Sequence, residues 1–321
     1  MNRFIVKAAM LLTVFIGVNI VLLFGLSENG SDYLYEYNHK LQLLDTVGQP
    51  RIIFMGGSSA AFDNDSRTIR DSLGCNVINF GLHAGIGMRI PLEDGLRSIR
   101  KGDVVVVQIE YANFFNGGNG EPEALPAFMT ATKWREWNRL NANQWMKLIQ
   151  GIPRNNISNL VHLARRFKTG PNVAFVYTKD GFNEFGDEVS HLNYPSQKYL
   201  PTGKKNTKAI NTDFIEWLGH ILAQYEERGS HVIMMPPACI VSCFNESYND
   251  NVKEALETIH YPYVIEPSYM ALDDDYMFNT GYHLNREGVR KNTANLIRVL
   301  RDCVYGAAIG HINTYSPESG D

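Results

Sequence analysis

Two hydrophobic patterns divide this chain. At the front, Ala8 to Leu26 (AAMLLTVFIGVNIVLLFGL) runs for 19 residues without a charge. Beyond residue 50, short continuous apolar runs alternate with stretches whose apolar residues recur every three or four positions. Continuous β-branched runs mark strands buried on both faces, and the 3.6-residue recurrence marks amphipathic helices. Strands are predicted at Arg51–Met55, Asn76–Phe80, Val104–Ile109 and His231–Met235, with a fifth at Tyr263–Glu266. Helices are predicted at Asp65–Leu73, Gly87–Ile99, Thr212–Arg228, Asn249–Ile259 and Arg286–Arg301. This alternation predicts an α/β fold, a three-layer α/β/α sandwich around a flavodoxin-like parallel sheet of about five strands. Ligands of such sheets bind beyond the carboxyl ends of the strands, which directs attention to the loops after Met55, Phe80, Ile109 and Met235.

The front segment is long enough to cross a bilayer, because about 20 helical residues span the hydrocarbon core. Arg3 and Lys7 precede it and Glu28 and Asp32 follow, so the positive-inside rule keeps the N-terminus in the cytoplasm and exports the rest. A cleaved signal peptide would have a shorter apolar region and a small-x-small site, which is missing near Phe24-Gly25-Leu26. The expected organisation is an uncleaved anchor over 1–27, a connector over 28–50 with a short helix through Tyr33–Leu44, and an α/β domain over 51–305. A helical insert occupies about 112–211 of that domain, and a tail covers 306–321.

Composition adds little to this picture but removes several classes. Thirty Lys+Arg against 34 Asp+Glu give a net charge of −4, which argues against a nucleic-acid partner. Four cysteines are too few for a disulfide scaffold; in an oxidising compartment Cys239 and Cys243 are placed to bridge within a loop, with Cys75 and Cys303 read as buried thiols. No metal motif stands out, and no cofactor is called for. Asn156-Ile-Ser and Asn245-Glu-Ser fit the glycosylation pattern. Within the insert, Lys133–Lys168 reads as a basic helical stretch with eight Lys/Arg and one Glu. Trp134, Trp137 and Trp145 fall near one face of such a helix, either as a core-facing stripe or as an aromatic wall for a sugar or anionic polymer.

Four blocks carry candidate chemistry. After the first strand, Gly56-Gly57-Ser58 permits a sharp turn that lifts a serine hydroxyl to the strand's carboxyl end. After the second, Asn79-Phe80-Gly81-Leu82-His83 supplies a backbone N–H at Gly81 suited to an oxyanion, with His83 read as locally packed. After the third, Glu110-Tyr111-Ala112-Asn113 offers the Asn113 amide. Near the end, Asn279-Thr280-Gly281-Tyr282-His283-Leu284-Asn285 places a histidine in a loop just before a helix.

In order and spacing these blocks resemble the SGNH (GDSL-type) hydrolase superfamily, and more closely its membrane-anchored bacterial branch associated with polysaccharide O-acetylation. The resemblance runs from about Arg51 to Arg301 and covers Tyr111–Asn211 poorly. It implies a Ser58 nucleophile, a His283 base, and an oxyanion hole from the N–H groups of Ser58 and Gly81 and the Asn113 side chain. It implies acyl transfer or ester hydrolysis on an envelope or capsular polysaccharide, with a multi-spanning membrane acyltransferase as partner. The chain departs from the pattern in three blocks, and of the Gly-x-Asn-Asp block it matches only Asn113, since Tyr111 and Phe114 differ. Gly57 replaces the Asp of Gly-Asp-Ser, and Asn279 or Thr280 stands where the triad Asp would precede His283. Asn279 can accept a bond from the imidazole but supplies no charge; Asp273-Asp274-Asp275 is the alternative source of a carboxylate. Those departures keep a second expectation open, a weak or inactive SGNH-fold subunit that binds glycan. A phosphate-binding protein is disfavoured, since the first turn lacks both common phosphate-loop patterns.

Overall fold

The computed structural model describes residues 2–26, 33–135, 137–169, 175–197 and 200–307. Residues 308–321 of the expected tail, and 27–32 around the start of the connector, lie outside that set. In chain order the elements are α1 (Asn2–Gly25), α2 (Glu36–Thr46), β1 (Arg51–Gly56), α3 (Ser58–Asp63), α4 (Ser66–Leu73), β2 (Asn76–Asn79) and α5 (Arg89–Ser98). Then come β3 (Val104–Gln108), α6 (Ala112–Asn116), α7 (Leu125–Ala131), α8 (Ala142–Thr169), α9 (Thr212–Glu227) and β4 (His231–Met234). The chain closes with β5 (Cys239–Ile240), α10 (Val241–Ser247), α11 (Asn251–Thr258), β6 (Ala271–Leu272) and α12 (Arg286–Ala307).

The fold is α/β, with a four-stranded parallel sheet in the order β2-β1-β3-β4. β1 is buried throughout and β3 almost so, which is why their sequences are unbroken apolar runs rather than alternating ones. The expected fifth strand is reduced to one parallel bridge between Met234 and Tyr263, and β5 and β6 form a separate two-stranded parallel pair. Helix ends follow their sequence signals. Asp65 accepts a bond from the Thr68 N–H ahead of α4, whose end is closed by Gly74 at φ +66°, and Asn211 caps α9 through the Phe214 N–H. Two groups of helices form: α5 touches α2, α9 and β1, while α12 packs on α3 and α4.

The Trp134–Trp137–Trp145 stripe does not exist as a single helical face. Lys133 and Trp134 adopt positive φ (53° and 57°), which an α-helix cannot pass through, and 137–139 form a separate 3-10 turn. Trp145 belongs to α8. The cysteines also depart from expectation. No disulfide joins Cys239 to Cys243, and Cys75 and Cys303 are half-buried rather than buried. Asn156 is buried at the contact with α1, so its sequon is inaccessible to a glycosyl group.

α1 is one helix long and apolar enough to cross a membrane, over Arg3–Gly25. It stands clear of the body along most of its length and meets α8 near its C-terminal end.

At the opposite edge of the strands from the candidate chemistry, Arg51 and Asp103 form a pair whose side chains have no exposed surface. Two parallel bonds of 2.8 Å join Arg51 Nε and Nη2 to the carboxylate. The remaining guanidinium hydrogens reach the Leu44 and Ser98 carbonyls. The pair ties α2, β1 and the turn before β3 together. Removing one member leaves the other charge buried alone, so Asp103→Ala is expected to cost about 3–5 kcal/mol. Urea denaturation followed by circular dichroism measures this loss.

Candidate active site

β1 and β3 are adjacent, and their carboxyl ends deliver Ser58 and Glu110 to the same place. Ser58 is the first residue of α3 and is half-exposed, whereas Ser59, Ala60, Ala61 and Phe62 after it are buried. Its hydroxyl donates to Glu110 Oε1 at 3.1 Å, and the Ser59 N–H donates to the same oxygen at 3.0 Å. Burial pushes the Glu110 carboxyl above its usual range, and the bonds from Ser59 and Ser58 oppose that shift. Gly57 is needed for this arrangement. A Cβ there would lie 2.6 Å from Glu110 Oε1 and 2.9 Å from Ala84 Cβ.

His283 reaches the same helix from the other end of the chain. Its ring stacks on Phe62, with centroids 4.0 Å apart and planes within 8°. Phe62 follows Ser58 by four residues, so the two side chains share a face of α3 and the imidazole lies beside the helix that presents the serine. The Leu284 N–H donates to Asp63 Oδ1 at 2.8 Å, fixing the loop against the end of α3. Among the described residues, no hydrogen bond joins Ser58 to His283; the serine proton is directed to Glu110.

Asn279 orients the imidazole. Its Oδ1 lies 2.8 Å from His283 Nδ1, and its Nδ2 donates to Tyr177 Oη at 2.6 Å. Since a carbonyl oxygen only accepts, Nδ1 carries the proton and Nε2 keeps its lone pair. Asp273, Asp274 and Asp275 are exposed, and Asp274 accepts from the Ser242 N–H instead. No carboxylate among the described residues pairs with the ring.

Of the expected oxyanion donors, Gly81 is adjacent to the turn: a Cβ there would fall 2.6 Å from Ala60 Cβ and 3.0 Å from the Gly57 carbonyl oxygen. Its N–H is not free, however, because it donates to Asn79 Oδ1 at 3.0 Å. The Ser58 N–H faces the Glu110 carboxylate. Asn113 is buried, and its Oδ1 lacks a partner. His83 is locally engaged, accepting from the Gly85 N–H through Nδ1.

Two participants escaped the sequence reading. Glu110 stands where a run of apolar residues ends, a place where a charge reads as the strand's terminus. The signal available was an acid one residue beyond a buried strand that faces a Gly-Gly-Ser turn. Tyr177 comes from the insert, and no pattern in the sequence links it to Asn279. The described residues contain no cluster of His, Cys, Asp and Glu able to hold a metal.

Burial dominates the electrostatics of His283, whose pKa is lowered to about 3, with smaller contributions from His191 and His83. The ring is thus neutral in the folded state, while unfolding restores the ordinary value of 6.5. The unfolded chain binds the extra proton, so the stability held by this neutral ring is complete above pH 6.5 and is lost as pH falls toward 3. His283→Gln removes that titration. The stability advantage of the wild type over the variant is expected to shrink between pH 7 and pH 4 in paired urea titrations.

No protein-family model matches the chain, and neither a curated protein nor a solved structure does.

Proposed function

We propose that the protein is a membrane-tethered, extracytoplasmic serine enzyme of the SGNH type that moves or removes an acetyl group on a cell-envelope polysaccharide. The observation that carries this reading is the convergence of Ser58 and an Asn279-oriented His283 on α3, from sequence positions far apart. The sheet supports the finer fold assignment. Its order β2-β1-β3-β4 matches the first four strands of the flavodoxin-like series, and Tyr263 bridges Met234 on β4, where a fifth would add. The two helix groups fit the outer layers of a three-layer sandwich. The resemblance between the four sequence blocks and the SGNH pattern supplies the reaction class, and α1 supplies the tether.

In the proposed reaction Ser58 turns about χ1 away from Glu110 and its oxygen attacks the acyl carbonyl. The serine proton passes to His283 Nε2, and the leaving alkoxide takes it back as the ester bond breaks. A second hydroxyl, from water or a sugar, gives its proton to the same nitrogen while attacking the acyl-enzyme, and Ser58 leaves with that proton as the acyl–serine bond breaks. The choice of that acceptor separates hydrolysis from transfer. Glu110 fills the space opened by Gly57, so a carboxylate beside the serine comes from the end of β3 rather than from the Gly-Asp-Ser position.

A second reading has a specific observation in its favour. The Ser58 hydroxyl points at Glu110, the Gly81 N–H is engaged, and Asn279 brings no charge, which suits a non-catalytic subunit that binds glycan on the same scaffold. A fluorophosphonate probe distinguishes the two on the full-length protein in detergent. An adduct on Ser58, together with acetyl-ester hydrolysis that Ser58→Ala abolishes, is the result expected of the enzyme. Absence of both, with polysaccharide binding retained, overturns it.

Asn279→Asp tests the role given to His283. In a serine protease the reverse change costs about 10⁴ in turnover, so a gain of roughly tenfold or more is expected here. The pH profile sharpens this test. The wild-type ring, with its pKa near 3, stays unprotonated from pH 7 to 5, so the rate should show no histidine limb in that range. An aspartate at 279 raises the imidazole pKa and should bring that limb into view.

A further inference from the structure

The apolar segment at the N-terminus is longer than the part of it that stands free. Ala8–Leu26 holds 19 uncharged residues, about 28 Å of helix, close to the thickness of a bilayer's hydrocarbon core. Only its first part is bare: 8–18 is exposed on every side, about 16 Å at 1.5 Å per residue. From there Asn19, Leu22, Leu23 and Leu26 turn toward the body, and Leu23 is buried. The surface they meet includes α8. If the whole segment is in the bilayer, the part of α8 beside Asn19 is at membrane depth as well.

α8 is built for such a place. Met146, Ile149, Ile157, Leu160 and Ala164 follow one another at helical spacing along a single stripe, and all are exposed, Ile149 by 61% and Ile157 by 63%. The opposite side holds Gln144, Leu148 and Gly151, all buried, and a side chain at Gly151 would collide with the Pro122 carbonyl. The exposed stripe is therefore not the face that holds the body together. Between the stripe and the core face, Asn156 Nδ2 donates to Asn19 O at 2.9 Å and to Asn19 Oδ1 at 3.0 Å. Asn19 Nδ2 donates within α1 to the Phe15 carbonyl, so in a water-free span it is the Asn19 oxygens that take a partner from a neighbouring helix, and Asn156 is that partner. Trp134 lies against Phe24 with centroids 5.6 Å apart, and Trp137 is 55% exposed, an arrangement suited to the headgroup level. Over 142–169 the helix carries five Lys/Arg and no Asp or Glu. Among the described side chains, Lys147 donates to the Gly120 carbonyl and Arg154 pairs with Glu123.

We propose that the exposed apolar stripe of α8 is set into one leaflet of an anionic bilayer beside α1, so that the protein meets the membrane through two helices. An interfacial helix of this kind buries its apolar side to about 5–10 Å. Asn19 lies seven residues before the end of the apolar segment, about 10 Å below it, which agrees with that depth. The inference rests on the reading that α1 crosses the bilayer, and the test separates the two.

Full-length protein is reconstituted in phosphatidylcholine–phosphatidylglycerol vesicles, with Cys75 and Cys303 replaced by serine and one environment-sensitive fluorophore at a time. The labelled variants are Phe15→Cys on α1, Ile157→Cys on the stripe, and Lys205→Cys on an exposed loop. Loss of fluorescence with acyl-chain-brominated lipids at 15 and 157, and none at 205, is expected. Loss at 15 alone, with 157 open to aqueous iodide, overturns the placement of α8 and leaves the anchor standing. Loss at neither position overturns both. Protection of 157 from bromine and iodide alike assigns the stripe to a second copy of the chain and overturns the lipid assignment. Equal quenching at 157 in pure phosphatidylcholine overturns the anionic preference.

Discussion

The geometry of the site depends on one closure, made by the stack of His283 on Phe62 and the bond from Leu284 N–H to Asp63 beneath it. That bond joins positions 221 residues apart in sequence. It holds because α12 is fastened to the same corner: Asn292 donates to the Asp63 carbonyl, and Thr293 accepts from the Asp65 N–H. The loop bearing the imidazole is thus pinned between α3 and α12, and the ring has little freedom to seek other partners. Around this corner Phe62 and Phe278 are buried, and their packing sets the position of the imidazole as much as any polar contact does.

Two buried carboxylates show how differently the same burden can be met. Asp103 faces a guanidinium in a parallel two-bond arrangement, and its charge is matched. Among the described residues Glu110 has no cation beside it and is held by serine and backbone donors, so burial drives its carboxyl toward the protonated form. The first arrangement joins elements at the amino ends of the strands. The second places a group of altered acidity beside a half-exposed serine at the carboxyl ends, where parallel sheets bind their ligands. The matched charge pair and the candidate chemistry therefore lie at opposite ends of the strands.

Much of the framework was legible in the sequence because burial on both faces leaves a plain mark. Arg51–Met55 and Val104–Ile109 read as strands since nearly every position must be apolar, and α9 and α12 read as helices from their apolar periodicity. The two-residue strands Cys239–Ile240 and Ala271–Leu272 are too short to leave a period, and Tyr263 makes one bridge where a strand was expected. The tryptophan stripe failed because helical spacing was assumed across Lys133 and Trp134, whose left-handed backbone ends any helix. At the site, Ser58 and His283 were visible as residues in loops, and the pairing of Asn279 with His283 was an expectation of the resemblance, which puts a triad acid at that place. The engagement of Ser58 with Glu110 and of Gly81 with Asn79 was not visible, since hydrogen-bond choice among neighbours depends on side-chain directions that spacing does not encode.

The seating of α1 has a mechanical consequence. A domain hung from a slack leash could swivel and wander above its attachment point, but here Asn19 and Leu23 are locked into the body, so α1 and the domain turn as one piece. The serine then has a fixed height and heading with respect to the axis of α1. On the proposed function, an acylated polymer would have to travel to it and would be served one stretch at a time as it slides past.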